Sequence, residues 1–267
     1  MKMIIRLVLV LFAFGLLTAC GDDDNLTYVR QVTMYGTTLG HTDLGTSDLV
    51  LLNSRTGEYI RTIGDTGYYV NGLAYDTTTG TLFATTSAND PIFPAGLIEI
   101  DTATGAGTPI GTGLGVPEGD AIVCLAVNAA GQLYGWWEAG EDDLVTVDKV
   151  TGLASAAIGD SGLSTGSQGM DFDANGILYL VNSGGEVYTI DTATGASTLV
   201  GDIGVTAHHG KFHPLGDYVG IDQTGTGDPT RNLIAADLES FEILDTAPTL
   251  DYLHTIAFVS RWIPVSM

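Results

Sequence analysis

One pattern recurs through the chain and limits the folds open to it. A short apolar strand runs into an Asp or Asn, a turn that usually ends in Gly follows, and a second strand comes after the turn. An Asx side chain bonds to the backbone of such a turn and Gly adopts a positive φ there, so each copy predicts a hairpin. Four clear copies and a fifth, altered one occupy residues 49–57, 97–105, 144–152, 187–195 and 233–241.

A second hairpin precedes most of these copies, and two hairpins make a four-stranded unit. Equivalent positions in the first strand of each unit are spaced by 52, 45, 41 and 45 residues, at Gly72, Cys124, Gly169, Gly210 and Thr255. This spacing is typical of a β-propeller blade and is too long for a leucine-rich repeat.

The two ends of the chain complement each other. Residues 254–258 match the first strand of a blade that has no continuation, and residues 32–36 match a second strand with no first strand before it. We therefore predict an all-β propeller of five four-stranded blades, closed by N-terminal strands that pair with the C-terminal strand; six blades are the alternative. Blade 1 is the shared one, and blades 2 to 5 span about residues 68–113, 118–160, 166–202 and 207–248.

The repeats resemble those of secreted bacterial propellers found in uncharacterised extracellular and surface-layer-like proteins. In these proteins Leu-Tyr is followed by Ile-Asp-Thr, Thr-Gly and Val-Gly, as in residues 178–201 here. The resemblance covers nearly all of residues 31–267 and implies the propeller architecture. It brings no catalytic motif, because propellers carry enzymes, lectins and scaffolds alike.

The N-terminal segment predicts export and anchoring. Lys2 and Arg6 flank the start of an apolar stretch, residues 7–17, that is too short to span a membrane and is typical of a signal peptide. The sequence Leu-Thr-Ala-Cys that ends at Cys20 resembles the cleavage box of bacterial lipoproteins. The resemblance implies removal of residues 1–19, acylation of Cys20 and a flexible acidic tether over residues 20–30, followed by the propeller domain, residues 31–267.

Charge defines the expected partners. The chain has 9 Lys and Arg against 32 Asp and Glu, and loss of two basic residues with the signal peptide leaves 7 against 32, a net charge of -25. This charge excludes nucleic acid as a partner. The acyl chains make the membrane a partner, and Gly21 after the cysteine favours the outer membrane of the cell envelope. Nothing in the sequence indicates an obligate oligomer.

The first strand of each blade lines the axis of a propeller, and ligands usually bind at the end where these strands begin, named here the top face. The side chains expected there are Asn71, Val123, Gln168, His209 and His254. Four of them are polar and form a continuous arc, and Asp120 or Glu118 in the preceding loop can reach the gap at Val123. We take this arc as the candidate ligand site.

Three interpretations of the top face remain open. Its polar side chains can simply be hydrated. His209 and His254, with a nearby carboxylate, can instead hold a divalent transition metal, the one cofactor the sequence suggests. Trp137 can stack on a sugar ring while its neighbour Trp136 packs between blades, because consecutive strand side chains point in opposite directions.

Two charged residues interrupt the apolar pattern of the inner strands. Lys211 and Asp171 belong to neighbouring blades and stand where other blades have apolar residues. An unpaired buried charge is costly, so we predict an ion pair or hydrogen bond between them. Cys124 is expected to pack between blades as a small apolar residue.

Three functions fit these observations. The first is a lipid-anchored binding or scaffold module for a carbohydrate, peptide or protein. The second is a hydrolase or lactonase at the tunnel mouth, with a histidine as general base and with or without a metal. The third is a structural subunit of a cell-surface assembly. The sequence contains no carboxylate pair placed for glycoside hydrolysis and no serine in a nucleophile motif.

Overall fold

The computed structural model describes residues 27–39, 45–138, 142–164, 166, 168–223 and 230–265. Within these ranges the chain forms strands and no helix, and the strands assemble into five antiparallel sheets. Accordingly, no described segment is a helix of the length and apolar character needed to cross a bilayer. The predicted signal peptide, residues 1–19, and Cys20 lie outside the described residues.

The strands follow the blades in chain order. Blade 1 begins with β1 (Thr27–Thr38), β2 (Asp48–Leu52) and β3 (Tyr59–Asp65). Blade 2 holds β4 (Val70–Asp76), β5 (Thr81–Thr86), β6 (Leu97–Ile100) and β7 (Gly107–Ile110). Blade 3 holds β8 (Ala121–Val127), β9 (Leu133–Glu138) and β10 (Asp143–Val147).

The remaining strands complete the ring. Blade 4 holds β11 (Gly169–Phe172), β12 (Leu178–Val181), β13 (Glu186–Ile190) and β14 (Ser197–Asp202). Blade 5 holds β15 (His208–Phe212), β16 (Tyr218–Gln223), β17 (Arg231–Asp237) and β18 (Glu242–Pro248). The last strand, β19 (Leu253–Val265), returns to blade 1.

Blade 1 closes the ring as the sequence predicts. Its strand order is β19-β1-β2-β3, and Gly36 of β1 lies opposite Ile256 of β19. The five-bladed arrangement is thus confirmed over the six-bladed alternative. Since each end of the chain supplies part of one sheet, closure leaves no unpaired inner strand among the described residues.

The outer edge of blade 3 is less regular than the other four. Its fourth segment meets β10 through an isolated bridge between Val147 and Ala154. Two further backbone hydrogen bonds hold it, from Ser155 N to Thr146 O at 2.8 Å and from Ile158 N to Leu144 O at 2.9 Å. The segment therefore takes the place of the predicted fourth strand without forming a continuous ladder.

Buried apolar side chains fill the spaces between blades. Five clusters occur, and each draws mainly on two neighbouring sheets. The cluster between blades 5 and 1, for example, brings Val219 and Leu233 against Val50 and Leu52. Because this interface joins the two ends of the chain, its burial stabilises the closed ring directly.

The repeated glycines hold neighbouring blades together. Gly159 closes the outer segment of blade 3, and a Cβ on it would lie 2.0 Å from the carbonyl oxygen of Thr194 in the turn of blade 4. Only glycine permits so close an approach. The same glycine-to-turn contact recurs between Gly64 and Thr104 and between Gly111 and Thr151.

The altered fifth repeat keeps the backbone shape of the other turns. Phe241 stands where the other repeats have glycine, and its φ of 57° lies in the left-handed region. Its ring covers Gly201 of blade 4, where a Cβ would lie 2.3 Å from the ring. A non-glycine residue with this φ is strained. The contact shows how packing at the blade interface maintains the strained conformation.

The propeller begins earlier than the sequence predicted. Strand β1 starts at Thr27, so residues 27–30 of the expected tether belong to the sheet and pair with residues 262–265 of β19. Tyr28, Val29 and Arg30 lie opposite Pro264, Ile263 and Trp262 of β19. The rest of the predicted tether, residues 20–26, lies outside the described residues.

Candidate functional site

The five predicted top-face positions have one backbone feature in common. Asn71, Val123, His209 and His254 each lie at a break in strand register, where the inner strand carries an extra residue. The fifth, Gln168, directly precedes β11. A β-bulge bends its strand and re-aims a side chain, and bulges are common next to functional sites. The repeat alignment therefore located equivalent backbone positions around the axis.

Two of these residues meet. The imidazole rings of His209 and His254 are in edge-to-face contact, with centroids 4.5 Å apart. The ring of His208 stacks on that of His209, with centroids 6.3 Å apart. The Nδ1–H of His254 donates to the carbonyl oxygen of Val70 at 2.9 Å, which fixes its neutral tautomer.

His209 has the least usual environment of the group. Its φ of 44° is left-handed, its side chain is 8% exposed, and its Nδ1 has no hydrogen-bond partner among the described residues. Burial, and then the charges of neighbouring His254 and His208, hold the pKa of His209 well below its usual value. Burial likewise lowers the pKa of His254 to about 4. Both rings are therefore neutral at pH 7.

Gln168 is held in the interior instead of lining an open surface. It is fully buried, and its side-chain amide donates to the Asp142 carboxylate at 3.1 Å. Its backbone carbonyl accepts from the thiol of Cys124 at 2.7 Å and from the backbone N–H of His209 at 3.1 Å. As expected, Cys124 packs between blades 3 and 4, and burial raises its pKa to about 12.

The tryptophan pair divides as the sequence suggested. Trp136 is completely buried in the cluster between blades 3 and 4. Trp137 is half-buried, and its indole N–H donates to Asp120 at 3.1 Å. Asp120 and Trp137 therefore bond to each other on the top face. Asn71 is half-buried at its bulge.

The top face offers little support for a metal. Among the described ranges, no group of three or more His, Cys, Asp or Glu side chains is arranged to hold an ion. The suggested pair of His209 and His254 is in edge-to-face ring contact, and the Nδ1 of His254 is already bonded. A divalent metal at this position thus lacks a ligand set in the described part of the chain.

A cavity of about 370 Å³ opens at the opposite end of the axis, named here the bottom face. The inner strands of all five blades contribute to its wall through Ala257, Ala74, Val127, Asp171 and Lys211. The small side chains leave space, and aromatic rings of Phe172, Phe212 and Phe258 line the remainder. This space is named the bottom cavity. The sequence placed the site at the other end of the ring.

Lys211 and Asp171 lie at the same blade interface, but they bond differently from the prediction. The Lys211 ammonium, 5% exposed, donates to the carbonyl oxygens of Met170 at 2.7 Å and of Leu125. Asp171 accepts from the backbone N–H of Phe212 at 2.9 Å. The predicted direct bond is absent, because backbone groups of the adjoining strands satisfy both side chains.

The two charges still influence each other. Burial raises the pKa of Asp171, and the positive charge of Lys211 opposes that rise. Burial lowers the pKa of Lys211, and the negative charge of Asp171 opposes that fall. Two of the three ammonium hydrogens are used by carbonyls, so one donor remains for a ligand. Perturbed ionisable groups in a concave site are typical of binding and active sites.

His213 is a buried histidine in the wall of the bottom cavity. It is 3% exposed, and its Nδ1 accepts from the backbone N–H of Leu215 at 3.1 Å. The proton of the neutral ring is therefore on Nε2, which has no partner among the described residues. Burial, followed by the charges of Arg30 and Arg55, lowers the pKa of His213 to about 4.

Arg30 lies at the rim of the same cavity. Its guanidinium donates to the carbonyl oxygen of Pro214 at 2.8 Å and to the Ser260 hydroxyl at 2.6 Å. Neither Arg30 nor His213 was predicted from the sequence to be part of the ligand site. The available signal was the break in the apolar column at Lys211 and Asp171, together with the small residues Ala74 and Ala257 at equivalent positions.

Comparisons with known proteins support the fold but assign the chain to no family. No protein-family model matches the chain, and no curated protein is significantly similar to it. A solved protein of unknown function from Bacteroides thetaiotaomicron VPI-5482 is 11% identical with a TM-score of 0.53, over 84% of this chain and 66% of the other. The gluconolactonase of Xanthomonas campestris is 12% identical with a TM-score of 0.50, over 84% and 79%.

An engineered GH43 glycoside hydrolase with endo-xylanase and exo-arabinofuranosidase activity is also similar in structure. It is 11% identical with a TM-score of 0.50, over 70% of this chain and 42% of its own. The chain thus spans less than half of that hydrolase. The five blades are seen in the sheets of this chain, and at these identities the similarities show a likeness of fold alone, to enzymes and to proteins of unknown function alike.

Proposed function

We propose that this protein is a lipid-anchored, extracytoplasmic propeller that binds a small polar ligand of carbohydrate type in the bottom cavity. The observation that carries the proposal is the convergence of all five inner strands on a cavity whose wall holds Lys211 and Asp171. Its volume of about 370 Å³ lies within the range of about 300–1,000 Å³ common for ligand sites.

The chemistry of the wall supports a polyhydroxylated ligand. The remaining hydrogen of the Lys211 ammonium is a donor, and the Asp171 carboxylate is an acceptor. Hydroxyl groups both donate and accept, so a sugar can satisfy both. The rings of Phe172 and Phe258 offer apolar faces to the C–H groups of such a ligand.

Isothermal titration calorimetry with a panel of monosaccharides and sugar acids tests the proposal. Asp171→Asn keeps the shape of the side chain and an acceptor for the N–H of Phe212, but removes the charge. A hydrogen bond to a charged group contributes about 1.5–3 kcal/mol, so affinity should fall about tenfold to hundredfold. Urea unfolding of the variant confirms that any loss comes from the site.

Trp137→Phe is the matched control on the top face, since it removes the indole donor to Asp120 and leaves the bottom cavity intact. It should bind the ligand as the wild type does. Loss of binding in Trp137→Phe with retention in Asp171→Asn would move the site to the top face. Absence of binding across the panel would contradict a carbohydrate-type ligand.

A hydrolase that acts on the same ligand is the second candidate. It is supported by the position of Asp171 and Lys211 in the cavity wall, where burial raises the pKa of Asp171 and lowers that of Lys211, in both cases toward neutral pH, as suits general acid–base catalysis. NMR assays of sugar lactones and glycosides test this candidate. Turnover that disappears in Asp171→Asn, with binding reduced far less, would support it, and stable substrates would exclude it.

The lipid anchor belongs to the same proposal. It is supported by the signal-peptide pattern of residues 1–19 and the cleavage box that ends at Cys20. Mass spectrometry of the membrane-bound protein should find a chain that begins at Cys20 and carries acyl groups. Cys20→Ser should leave the protein unacylated and in the soluble envelope fraction; an unmodified wild-type cysteine would contradict the anchor.

A further inference from the structure

Strands β1 and β19 extend beyond the four-stranded part of blade 1. Strand β2 pairs only with residues 34–37 of β1, whereas β1 and β19 remain paired as far as Thr27 and Val265. Residues 27–32 and 260–265 therefore form a two-stranded ribbon on the bottom face, named here the bottom arm. At about 3.3 Å per residue, its six residue pairs extend about 20 Å.

The bottom arm exposes large apolar side chains. Trp262 is 67% exposed, and Tyr28 and Val29 are also exposed. Leu215, in the turn that meets the arm, is exposed as well. A two-stranded ribbon is marginally stable in water. Exposed aromatic residues on such a ribbon indicate a surface that a partner covers when the protein functions. Trp and Tyr are the residues enriched at the interface between lipid and water.

The charge of the arm differs from that of the rest of the chain. Strands β1 and β19 contain no Asp or Glu, although the chain has 32 of them. Arg30 and Arg261 lie in the arm, and Arg55 borders the groove beside it. The surface is therefore apolar and basic, which complements anionic phospholipid headgroups.

The negative charge of the protein behind the arm opposes docking on an anionic bilayer. A net charge of -25 would repel an anionic bilayer at close range. Salt screens such repulsion over a Debye length of about 10 Å at 0.1 M ionic strength. The arm bonds to the body through Arg30 and Pro214, so its outer residues lie closest to the bilayer, and salt weakens the repulsion from the acidic groups behind them.

The position of the arm in the chain indicates that a membrane is the partner that covers it. Cys20 precedes Thr27 by seven residues, and an extended chain of that length spans at most about 25 Å. An acyl anchor on Cys20 therefore keeps the arm within reach of the bilayer surface. This step rests on the lipid anchor of the proposed function.

We propose that the bottom arm docks on an anionic phospholipid bilayer, with Trp262 and Tyr28 in the headgroup region. Docking turns the bottom face and its cavity toward the membrane and the top face, with Trp137, toward the aqueous phase. The contact adds an orientation that an acyl tether alone does not give. Arg30 and Arg261 reinforce it electrostatically.

Tryptophan fluorescence of the full chain in proteoliposomes tests the docking. The vesicles contain phosphatidylglycerol and phosphatidylcholine, with bromine atoms on the acyl chains near the headgroups as quenchers. The chain has three tryptophans, of which Trp136 is buried and Trp137 lies on the top face. Brominated lipid should quench wild-type emission, Trp262→Phe should abolish the quenching, and Trp137→Phe should retain it.

The lipid composition and the anchor are varied separately. Replacing phosphatidylglycerol by phosphatidylcholine, or Arg261 by Gln, should reduce the quenching. Acylated protein that sediments with the vesicles but shows no Trp262-dependent quenching would overturn the docking and leave the anchor standing. If the chain proves unacylated, the anchor fails; the free chain mixed with the same vesicles must then still show quenching through Trp262, and its absence overturns the docking.

Discussion

The carboxylate of Asp76 and the ammonium of Lys149 lie 2.6 Å apart and join blade 2 to blade 3 at the bottom face. The Asp76 side chain is completely buried, and it also accepts from the backbone and side chain of Thr78. Lys149 donates in addition to the carbonyl oxygen of Gly131 at 2.6 Å. Within the described ranges this is the one direct ion pair between side chains.

We expect Lys149→Met to destabilise the protein by about 3 kcal/mol, because it leaves a buried carboxylate without its counter-ion. Lys149→Arg, which retains the charge, should cost less. Urea unfolding followed by tryptophan fluorescence measures both variants. An unfolding free energy for Lys149→Met equal to that of the wild type would show that the pair contributes nothing to the blade interface.

Acid should weaken the same interface. Burial alone would raise the pKa of Asp76, but the hydrogen bonds from Lys149 and Thr78 outweigh it and lower the pKa to about 2. The folded-state pKa is below the unfolded value of about 3.9, so the stabilisation is complete above that value and is lost as the pH falls toward 2. Unfolding free energies between pH 5 and 2 should therefore decline less steeply in Lys149→Met than in the wild type.

The neutral histidines of the top face predict a second pH effect of a different origin. The pKa of His254 is lowered by burial to about 4, below the unfolded value of about 6.5. The unfolded chain then binds more protons, so stability falls as the pH drops from about 6.5 to about 4, by about 3 kcal/mol for this one group. Its NMR titration should show no protonation above pH 5.

His209→Asn tests the coupled ring. Asn tolerates the left-handed backbone at this position and does not titrate between pH 4 and 7. The unfolding free energy of this variant should change less between pH 7 and 4 than that of the wild type. The variant lacks the histidine that takes up a proton in the unfolded chain but not in the folded protein. The other titratable groups are common to both proteins. An identical pH dependence would therefore mean that the pKa of His209 is not lowered in the folded protein.

The glycine contact between blades predicts a local steric effect. Gly159→Ala places a methyl group 2.0 Å from the carbonyl oxygen of Thr194, so blades 3 and 4 must move apart. Overpacking of this kind costs about 1–3 kcal/mol. Gly166→Ala is the control, because among the described residues its methyl group would meet one ordinary contact, at 3.6 Å from Glu138. Equal thermal stability of the two variants would contradict the tight interface.

The repeat spacing was sufficient to predict the ring, because each blade must bury its faces against neighbours of the same architecture. It also located the inner-strand positions exactly where the strands bulge, at residues such as His254 and Asn71. The closing blade followed from complementary chain ends, Gly36 and Ile256 being its opposed residues. These features depend on backbone pattern, which a repeated sequence records directly.

Side-chain partners were harder to predict. Lys211 bonds to carbonyl oxygens of Met170 and Leu125, and a backbone carbonyl has no signature in the sequence. The volume of the bottom cavity depends on how much space small residues such as Ala74 leave along the axis. That space is set by the packing of the blades, which the sequence does not show directly. The start of β1 at Thr27 was missed because β1 and β19 are longer than the strands of the other blades, so the repeat does not show where they end.

The environment of Cys124 predicts a thiol that does not react in the folded state. Burial raises its pKa to about 12, the side chain is 2% exposed, and the thiol donates to the carbonyl oxygen of Gln168. The thiolate is the reactive form, so iodoacetamide at pH 8 should leave Cys124 unmodified in native protein and alkylate it fully in urea. Peptide mapping by mass spectrometry separates Cys124 from Cys20. Rapid alkylation under native conditions would mean that the interface between blades 3 and 4 opens, since only separation of those blades exposes the sulfur.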